Sequence, residues 1–182
     1  EVFFTDVAVP KENLVGPLNG GWVIAKRLLQ FERTGIGGAG TQAGTRAAAA
    51  SLAERARAYV GVARDGRLRD VDLRARLAAH DVDARALALT LARVRAEAPS
   101  GAGAAAMDSV LKNAAAEISA ARYELSIEIL GCQGLGWGGE AYALDELATV
   151  RDWLADKAKS IYGGTTEVQN NVIAKRRLQL PS

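Results

Sequence analysis

The chain has 182 residues, of which 49% are hydrophobic, 24% charged and 5% aromatic, and this composition excludes a largely disordered chain. Its 23 Lys and Arg residues and 21 Asp and Glu residues give a net charge of +2. The two signs are interleaved along the sequence, without a basic arm or stripe, so nucleic acid is disfavoured as the main ligand.

A single cysteine and a single histidine restrict the possible chemistry. Cys132 has no second cysteine to pair with, which fits a reducing compartment, and we interpret it as a small packing residue. His80 is the sole histidine, so a His-based metal site or a Ser-His-Asp triad has little support. We therefore predict no metal site.

No segment approaches the roughly 18 to 20 apolar residues of a membrane span. The opening residues are too acidic and too interrupted by proline for a signal peptide. We predict a soluble protein and place it in the cytoplasm, with the mitochondrial matrix as the alternative, because a transit peptide would precede residue 1.

Residues 2–9, VFFTDVAV, alternate in the manner of a short strand that ends at Pro10. A lone strand is not stable in water, so this pattern indicates the end of a sheet that belongs to something larger. We assign residues 1–17 to the end of a β-domain and its linker, and residues 18–182 to a helical domain.

From Trp22 onward apolar residues recur with helical spacing, and the pattern continues through the alanine-rich run at 47–58. This predicts one long helix. Glycines within it each cost up to about 1 kcal/mol relative to alanine, so either the helix breaks there or another element packs closely against it.

A second helix begins at a cap supplied by Asp70 or Asp72 and stops at Pro99. His80 is predicted on its solvent face. A third helix spans about 104–130 and ends at Gly131, a residue that favours helix termination.

A shorter helix is predicted over about 145–159, and a basic amphipathic helix closes the chain. Thr166 and Gln169 have the spacing of a capping box at the start of this last helix. The fold prediction is all-α: an antiparallel bundle of four to five helices preceded by a short N-terminal strand.

Glu32 and Arg33 lie side by side in an apolar stretch. The ordinary interpretation is a pair of charges at a helix surface. The alternative is a general base, because Phe31 and Ile36 would desolvate the Glu32 carboxylate and raise its pKa into the range useful for proton abstraction.

Two glycine-rich segments also attract attention. In IYGGTT, two glycines precede a helix N-terminus whose N–H groups suit an anion or a polarised carbonyl, although a tight loop with an N-cap explains them equally well. The second, EILGCQGLG, lacks the spacing of the known phosphate-binding loops and is weak on its own.

The order of EVFFTDVAVPKENLVG, a glycine-punctuated helix, EILGCQGLG and IYGGTTEVQNNVIAKRRLQLP is similar to the C-terminal half of the acyl-CoA dehydrogenase family of flavoproteins. The resemblance implies that the helical bundle forms one wall of the FAD and acyl pocket and the core of an oligomer. A homotetramer, a homodimer or a heteromer would fit. It also implies an acyl-CoA substrate, electron-transfer flavoprotein or a similar acceptor, and a role in fatty acid metabolism.

In most members of that family a glutamate at the position of Gly163 removes the α-proton while hydride passes from the β-carbon to the flavin. A minority carry the base on the first long helix, in a Glu-Arg pair that matches Glu32 and Arg33. The glycine at 163 and the carboxylate at 32 support each other, and the resemblance thus implies that Glu32 is the catalytic base.

Other roles follow from the resemblance alone. The backbone N–H of Gly163 would polarise the thioester carbonyl. Substrate-binding residues would be Gln30, Arg33 and Tyr162. Cofactor-binding residues would be Arg57, Gly131, Cys132, Gln133, Thr165 and Glu167, with Gly131, Cys132 and Gln133 meeting the FAD of a neighbouring subunit.

Two alternatives stay open: a non-catalytic subunit of a heteromeric acyl-CoA dehydrogenase, and a flavin monooxygenase of the same fold. Whether the enzyme is a dehydrogenase or a monooxygenase, we expect the 182 residues alone to be inactive. A pocket with one wall does not exclude water from the reacting thioester.

Overall fold

The computed structural model describes residues 2–29, 51–97 and 104–181, and within these ranges the fold is all-α, as predicted. Helix α1 covers residues 21–29. The remaining α-helices are α2 (Leu52–Tyr59), α3 (Val71–Glu97), α4 (Ala104–Leu130), α5 (Leu144–Asp156) and α6 (Thr166–Arg176). Short 3₁₀ helices lie at Lys11–Asn13, Gly131–Leu135 and Lys157–Ser160.

Helix α4 is the centre of the bundle and packs against α2, α3, α5 and α6. Its bounds agree with the predicted third helix. A continuous apolar core joins its C-terminal half to α2 and α3, and the members are Leu52, Ala56, Leu68, Leu73, Leu77, Leu125 and Ile129. Because α4 is surrounded, it also buries polar side chains, Ser109, Lys112 and Ser126 among them.

At the N-termini of α3 and α2, capping side chains close in sequence determine where the helix begins. Asp70 Oδ1 accepts a hydrogen bond from the Leu73 N–H at 2.9 Å, so Asp70, one of the two predicted candidates, caps α3. Helix α2 begins with a capping box in which Ser51 and Glu54 each bond the other's backbone. Ser51 has a non-helical backbone (φ −59°, ψ 157°), so the prediction of one helix running through this position is wrong.

The predicted N-terminal strand is not formed. Residues 2–9 carry no strand pairing in the part of the chain that the structure describes, and Phe3 and Phe4 are each 81% exposed. The described residues contain an isolated antiparallel bridge between Val62 and Leu68 but offer no sheet edge to residues 2–9. A strand needs such a partner for its backbone hydrogen bonds.

The structure contradicts the predicted exposure of two further residues. His80 is only 7% exposed, at the contact between α3 and α4, and not on a solvent face. Cys132, predicted to pack, is exposed. For His80 the packing of α4, which the local pattern does not encode, decides the environment, and Cys132 is left uncovered among the described residues.

Candidate functional site

The site predicted from the sequence has two parts, and one of them, with Gln30, Glu32 and Arg33, lies outside the described residues. The other part is the loop that carries Gly163 and Gly164. It lies between the 3₁₀ helix Lys157–Ser160 and the N-terminus of α6.

Both loop glycines have left-handed backbone conformations, with φ of +69° at Gly163 and +96° at Gly164. Only glycine adopts such angles without steric cost. At Gly164 there is also no room for a side chain, because a Cβ would lie 2.6 Å from Nε2 of Gln169. The loop conformation therefore depends on glycine at this position.

The start of α6 differs from the predicted capping box. Thr165 is the N-cap residue, and its hydroxyl accepts a hydrogen bond from the Val168 N–H at 3.4 Å. Thr166 is instead the first residue of the helix, so its assignment as the cap is wrong. Gln169 turns its side chain inward and takes no part in the cap.

Two buried side chains bind the carbonyl oxygens of the glycine pair. Gln169 Nε2 donates to the Gly163 oxygen at 2.6 Å, and Lys112 Nζ donates to the Gly164 oxygen at 2.7 Å. Both donors are 0% exposed. Burial lowers the pKa of Lys112, while the nearby Glu167 carboxylate acts in the opposite direction.

Lys112 was not among the candidates predicted from the sequence, and Gln169 was predicted to take part in a capping box. A lysine is usually a surface residue, so one on a helix is a poor candidate for a buried contact. A signal was available, since Ala115 and Ala116 follow Lys112 by three and four residues and are both buried on the same face of α4.

The side chains beside the glycine pair remain accessible. Tyr162 is 42% exposed and directly precedes the loop. Glu167 is exposed in the first turn of α6, where hydrogen bonding with Thr165 is the main cause of its lowered pKa. A carboxylate in this place is favoured by the positive end of the helix dipole.

Of the residues predicted to contact the cofactor, Thr165 and Glu167 lie beside the N-terminal half of α4, and Gly131, Cys132 and Gln133 lie at its C-terminal end. Thr165 and Glu167 adjoin the glycine pair, whose Gly164 oxygen contacts Lys112. Gly131, Cys132 and Gln133 follow the last residue of α4, Leu130, which lies 18 positions after Lys112. At about 1.5 Å per residue, the positions of Lys112 and Leu130 are roughly 27 Å apart along the helix axis.

The residues of the second group, Gly131, Cys132 and Gln133, are accessible to solvent. Gly131 has a left-handed backbone (φ +55°) and open space where a Cβ would lie. Cys132 is exposed and Gln133 is partly exposed. Arg57 is exposed on α2, which packs against the same half of α4 through Leu52 and Ala56.

A separate groove of about 760 Å³ runs between α3 and α4. Its floor is apolar, His80 lies in it, and carboxylates including Asp83, Glu117 and Glu128 line it. Of the predicted site residues that the structure describes, none lines this groove. Over the described ranges, no group of three or more His, Cys, Asp or Glu side chains is arranged to hold a metal ion, and no helix is at once long and apolar enough to span a bilayer.

The described residues thus form an all-α bundle whose glycine loop is anchored to the central helix α4. The family profile described as "Acyl-CoA dehydrogenase, C-terminal domain" matches residues 19–178. The chain belongs to the acyl-CoA dehydrogenase family, and the part of the family it represents is this C-terminal domain.

Comparison with individual proteins leads to the same family. The chain is similar to acyl-CoA dehydrogenase IpdE1 of Mycobacterium tuberculosis, with 32% identity over 100% of this chain and 44% of that protein. The same named protein of Mycolicibacterium smegmatis is also 32% identical, over 42% of its length. A crystal structure of a probable acyl-CoA dehydrogenase from Mycobacterium abscessus superposes with a TM-score of 0.72 and 25% identity, covering 96% of this chain and 44% of the other. The chain thus spans less than half the length of the curated relatives it matches.

Proposed function

We propose that this chain is the C-terminal part of an FAD-dependent acyl-CoA dehydrogenase, which converts an acyl-CoA thioester to the trans-2-enoyl-CoA. The observation that carries the proposal is the family match over residues 19–178, on a chain whose glycine loop has a rigidly held backbone. The relatives of the same family are named acyl-CoA dehydrogenases.

In the proposed reaction the Glu32 carboxylate takes the α-proton, and the electron pair of that C–H bond forms the new double bond. FAD, when bound, supplies the acceptor for the hydride that leaves the β-carbon. Glycine at 163 supports this role for Glu32, because position 163 carries no carboxylate. A base anchored on another helix reaches the same α-carbon if the geometry is correct.

The glycine loop would act on the thioester carbonyl. As the α-proton leaves, negative charge accumulates on that oxygen, and the Gly163 backbone N–H stabilises it in the manner of an oxyanion-hole donor. Tyr162, together with Gln30 and Arg33, would line the substrate pocket. The partial exposure of Tyr162 is compatible with such a contact.

The flavin would be contacted by two subunits. Thr165 and Glu167 serve the FAD next to the glycine loop, and Gly131, Cys132 and Gln133 serve that of a neighbouring chain. Arg57 would contact the diphosphate of a flavin. The separation of about 27 Å along α4 supports this division. Large exposed apolar side chains, Trp22, Leu135, Trp137 and Leu144 among them, support a homotetramer or homodimer or a further domain that covers them.

We place the protein in the cytoplasm, in fatty acid metabolism, with electron-transfer flavoprotein or a similar acceptor reoxidising the flavin. The test uses the protein expressed from its whole coding sequence and loaded with FAD. It is mixed without oxygen with short-, medium- and long-chain acyl-CoA thioesters, and bleaching of the flavin absorbance is recorded. We expect bleaching by at least one chain length and its loss in Glu32→Gln.

Glu140→Gln is the matched control, because Glu140 is an exposed carboxylate on the loop before α5. Near-wild-type flavin reduction in Glu32→Gln would refute the base assignment. Flavin found only in a second, different subunit would instead indicate a non-catalytic partner of a heteromeric enzyme. Oxygen uptake by reduced flavin without acyl-CoA oxidation would indicate a monooxygenase.

A further inference from the structure

We propose that Lys112 and Gln169 are positioning residues for the reaction, which act by holding the backbone of Gly163 and Gly164 in the orientation that the thioester carbonyl requires. This inference rests on the proposed function, because it concerns the same loop. It goes further by assigning a task to two side chains that are remote in sequence from the proposed base.

The geometry of the peptide bond gives the anchors their effect. In a trans peptide the C=O and N–H groups point in opposite directions. Because Gln169 binds the Gly163 oxygen and Lys112 binds the Gly164 oxygen, the N–H groups of Gly164 and Thr165 point away from those donors. The two peptide planes after Gly163 are thus fixed. The Gly163 N–H lies in the preceding peptide, between Tyr162 and Gly163, and is linked to the first fixed plane through the left-handed Gly163 backbone (φ +69°).

Without these anchors the loop would be poorly defined. Two consecutive glycines in left-handed conformations have access to many backbone states. A donor that is displaced by about 1 Å from a developing charge can lower the rate about 100-fold. A catalytic loop made of glycines therefore needs external supports, and two are present.

The energetic cost of these supports argues for a function beyond packing. Burying an ammonium group is unfavourable by several kcal/mol unless it is well compensated, and burial indeed lowers the pKa of Lys112. Gln169 Oε1 is buried without a hydrogen-bond partner among the described residues, which costs about 1–3 kcal/mol. Apolar residues of similar size would hold α4 and α6 together at lower cost.

A neighbouring contact between the same helices provides the control. Asn113 Nδ2 donates to Asn170 Oδ1 at 3.0 Å, so it links α4 to α6 one residue after Lys112 without touching the glycine loop. If Lys112 and Gln169 only joined the helices, loss of the Asn113 contact would have similar consequences.

The experiment compares Lys112→Met, Gln169→Met and Asn113→Ala in the FAD-loaded protein expressed from its whole coding sequence. We expect kcat for acyl-CoA oxidation to fall about 100-fold in the first two variants with KM changed less than about threefold. We expect Asn113→Ala to keep wild-type kcat. The thermal unfolding midpoint of Lys112→Met is recorded beside kcat, because removal of a buried charge raises stability and the unpaired Gly164 oxygen lowers it.

Two readouts report on the loop itself. The carbonyl stretch of a bound ¹³C-labelled acyl-CoA should shift to lower frequency in the wild type, and this shift should shrink in Lys112→Met and Gln169→Met. Hydrogen exchange of the peptide that contains Gly164 and Thr165 should accelerate about tenfold in these variants, and not in Asn113→Ala.

Wild-type kcat and an unchanged carbonyl frequency in Lys112→Met would overturn the positioning role while leaving the proposed function intact. An equal loss of kcat in Asn113→Ala would also overturn it. If the wild-type protein does not oxidise any acyl-CoA, the proposed function fails. Hydrogen exchange then still decides whether the two side chains hold the loop, and unchanged exchange in both Met variants would refute that as well.

Discussion

Substitution of Gly164 by alanine is the sharpest test of the loop geometry. Its φ of +96° lies in a region that alanine adopts at a cost of about 1–2 kcal/mol. The new Cβ would also lie 2.6 Å from Gln169 Nε2. Gln169 is fully buried, so its amide cannot move into solvent, and displacing it breaks the hydrogen bond to the Gly163 oxygen.

Loss of that bond, with a buried polar group left unpaired, adds about 1–3 kcal/mol. We therefore expect Gly164→Ala to lower the free energy of unfolding by about 2–5 kcal/mol, a large share of the roughly 5–15 kcal/mol that stabilises a typical domain. Urea denaturation followed by circular dichroism measures it, with the midpoint and the slope recorded separately.

Gly66→Ala is the matched control, because Gly66 has a similar left-handed backbone (φ +76°) and no atom within 4 Å of the place where a Cβ would lie. It isolates backbone strain, and we expect a loss of about 1–2 kcal/mol. Equal losses in Gly164→Ala and Gly66→Ala would refute the reasoning that Gln169 closes the space at Gly164.

Two further predictions concern the bundle. Ser51→Ala removes the capping box of α2 and should lower the free energy of unfolding by about 1 kcal/mol in the same urea assay, whereas Ser51→Thr should retain most of it. Burial and the nearby Arg122 lower the pKa of His80 below its usual 6.5, against the opposing effect of Asp81 and Asp83. The unfolded state therefore binds the proton more readily, and stability should fall as the pH drops below about 6.5. His80→Leu should flatten this dependence, and an unchanged pH profile in that variant would contradict the assignment.

The arrangement of the predicted cofactor residues has a consequence for assembly. Lys112, in the N-terminal half of α4, anchors the glycine pair, and the Gly131–Leu135 turn follows the C-terminal end of the helix. A rigid helix between them keeps the two surfaces apart by a fixed length, about 27 Å. This spacing supports the proposal that each chain contributes to two flavin sites.

The elements that could be predicted from the sequence are those whose signals are local. Helix α4 agrees with its predicted bounds because its apolar period is long and Gly131 follows it directly. Helix α3 starts after Asp70 and ends at Glu97, two residues before Pro99. A cap or a proline acts on the few residues beside it, so neighbouring helices do not alter its effect.

Contacts between residues far apart in the sequence could not be predicted and are seen only in the tertiary structure. Lys112 and Gly164 are 52 positions apart, and nothing near Lys112 in the sequence indicates that its ammonium group binds a backbone oxygen. His80 has the sequence context of a surface residue until α4 covers it. Residues 2–9 have the alternation of a strand but find no partner strand among the residues that the structure describes.

The amino-acid sequence by itself determined the helical class, most helix ends, and the family to which the chain belongs, because periodicity, caps and short motifs are properties of adjacent residues. Only the tertiary structure decided which polar groups are buried and what they hold in place. The reason is physical: burial and hydrogen bonding of Lys112 and Gln169 depend on how α4, α6 and the glycine loop pack together, and that packing is a property of the whole bundle.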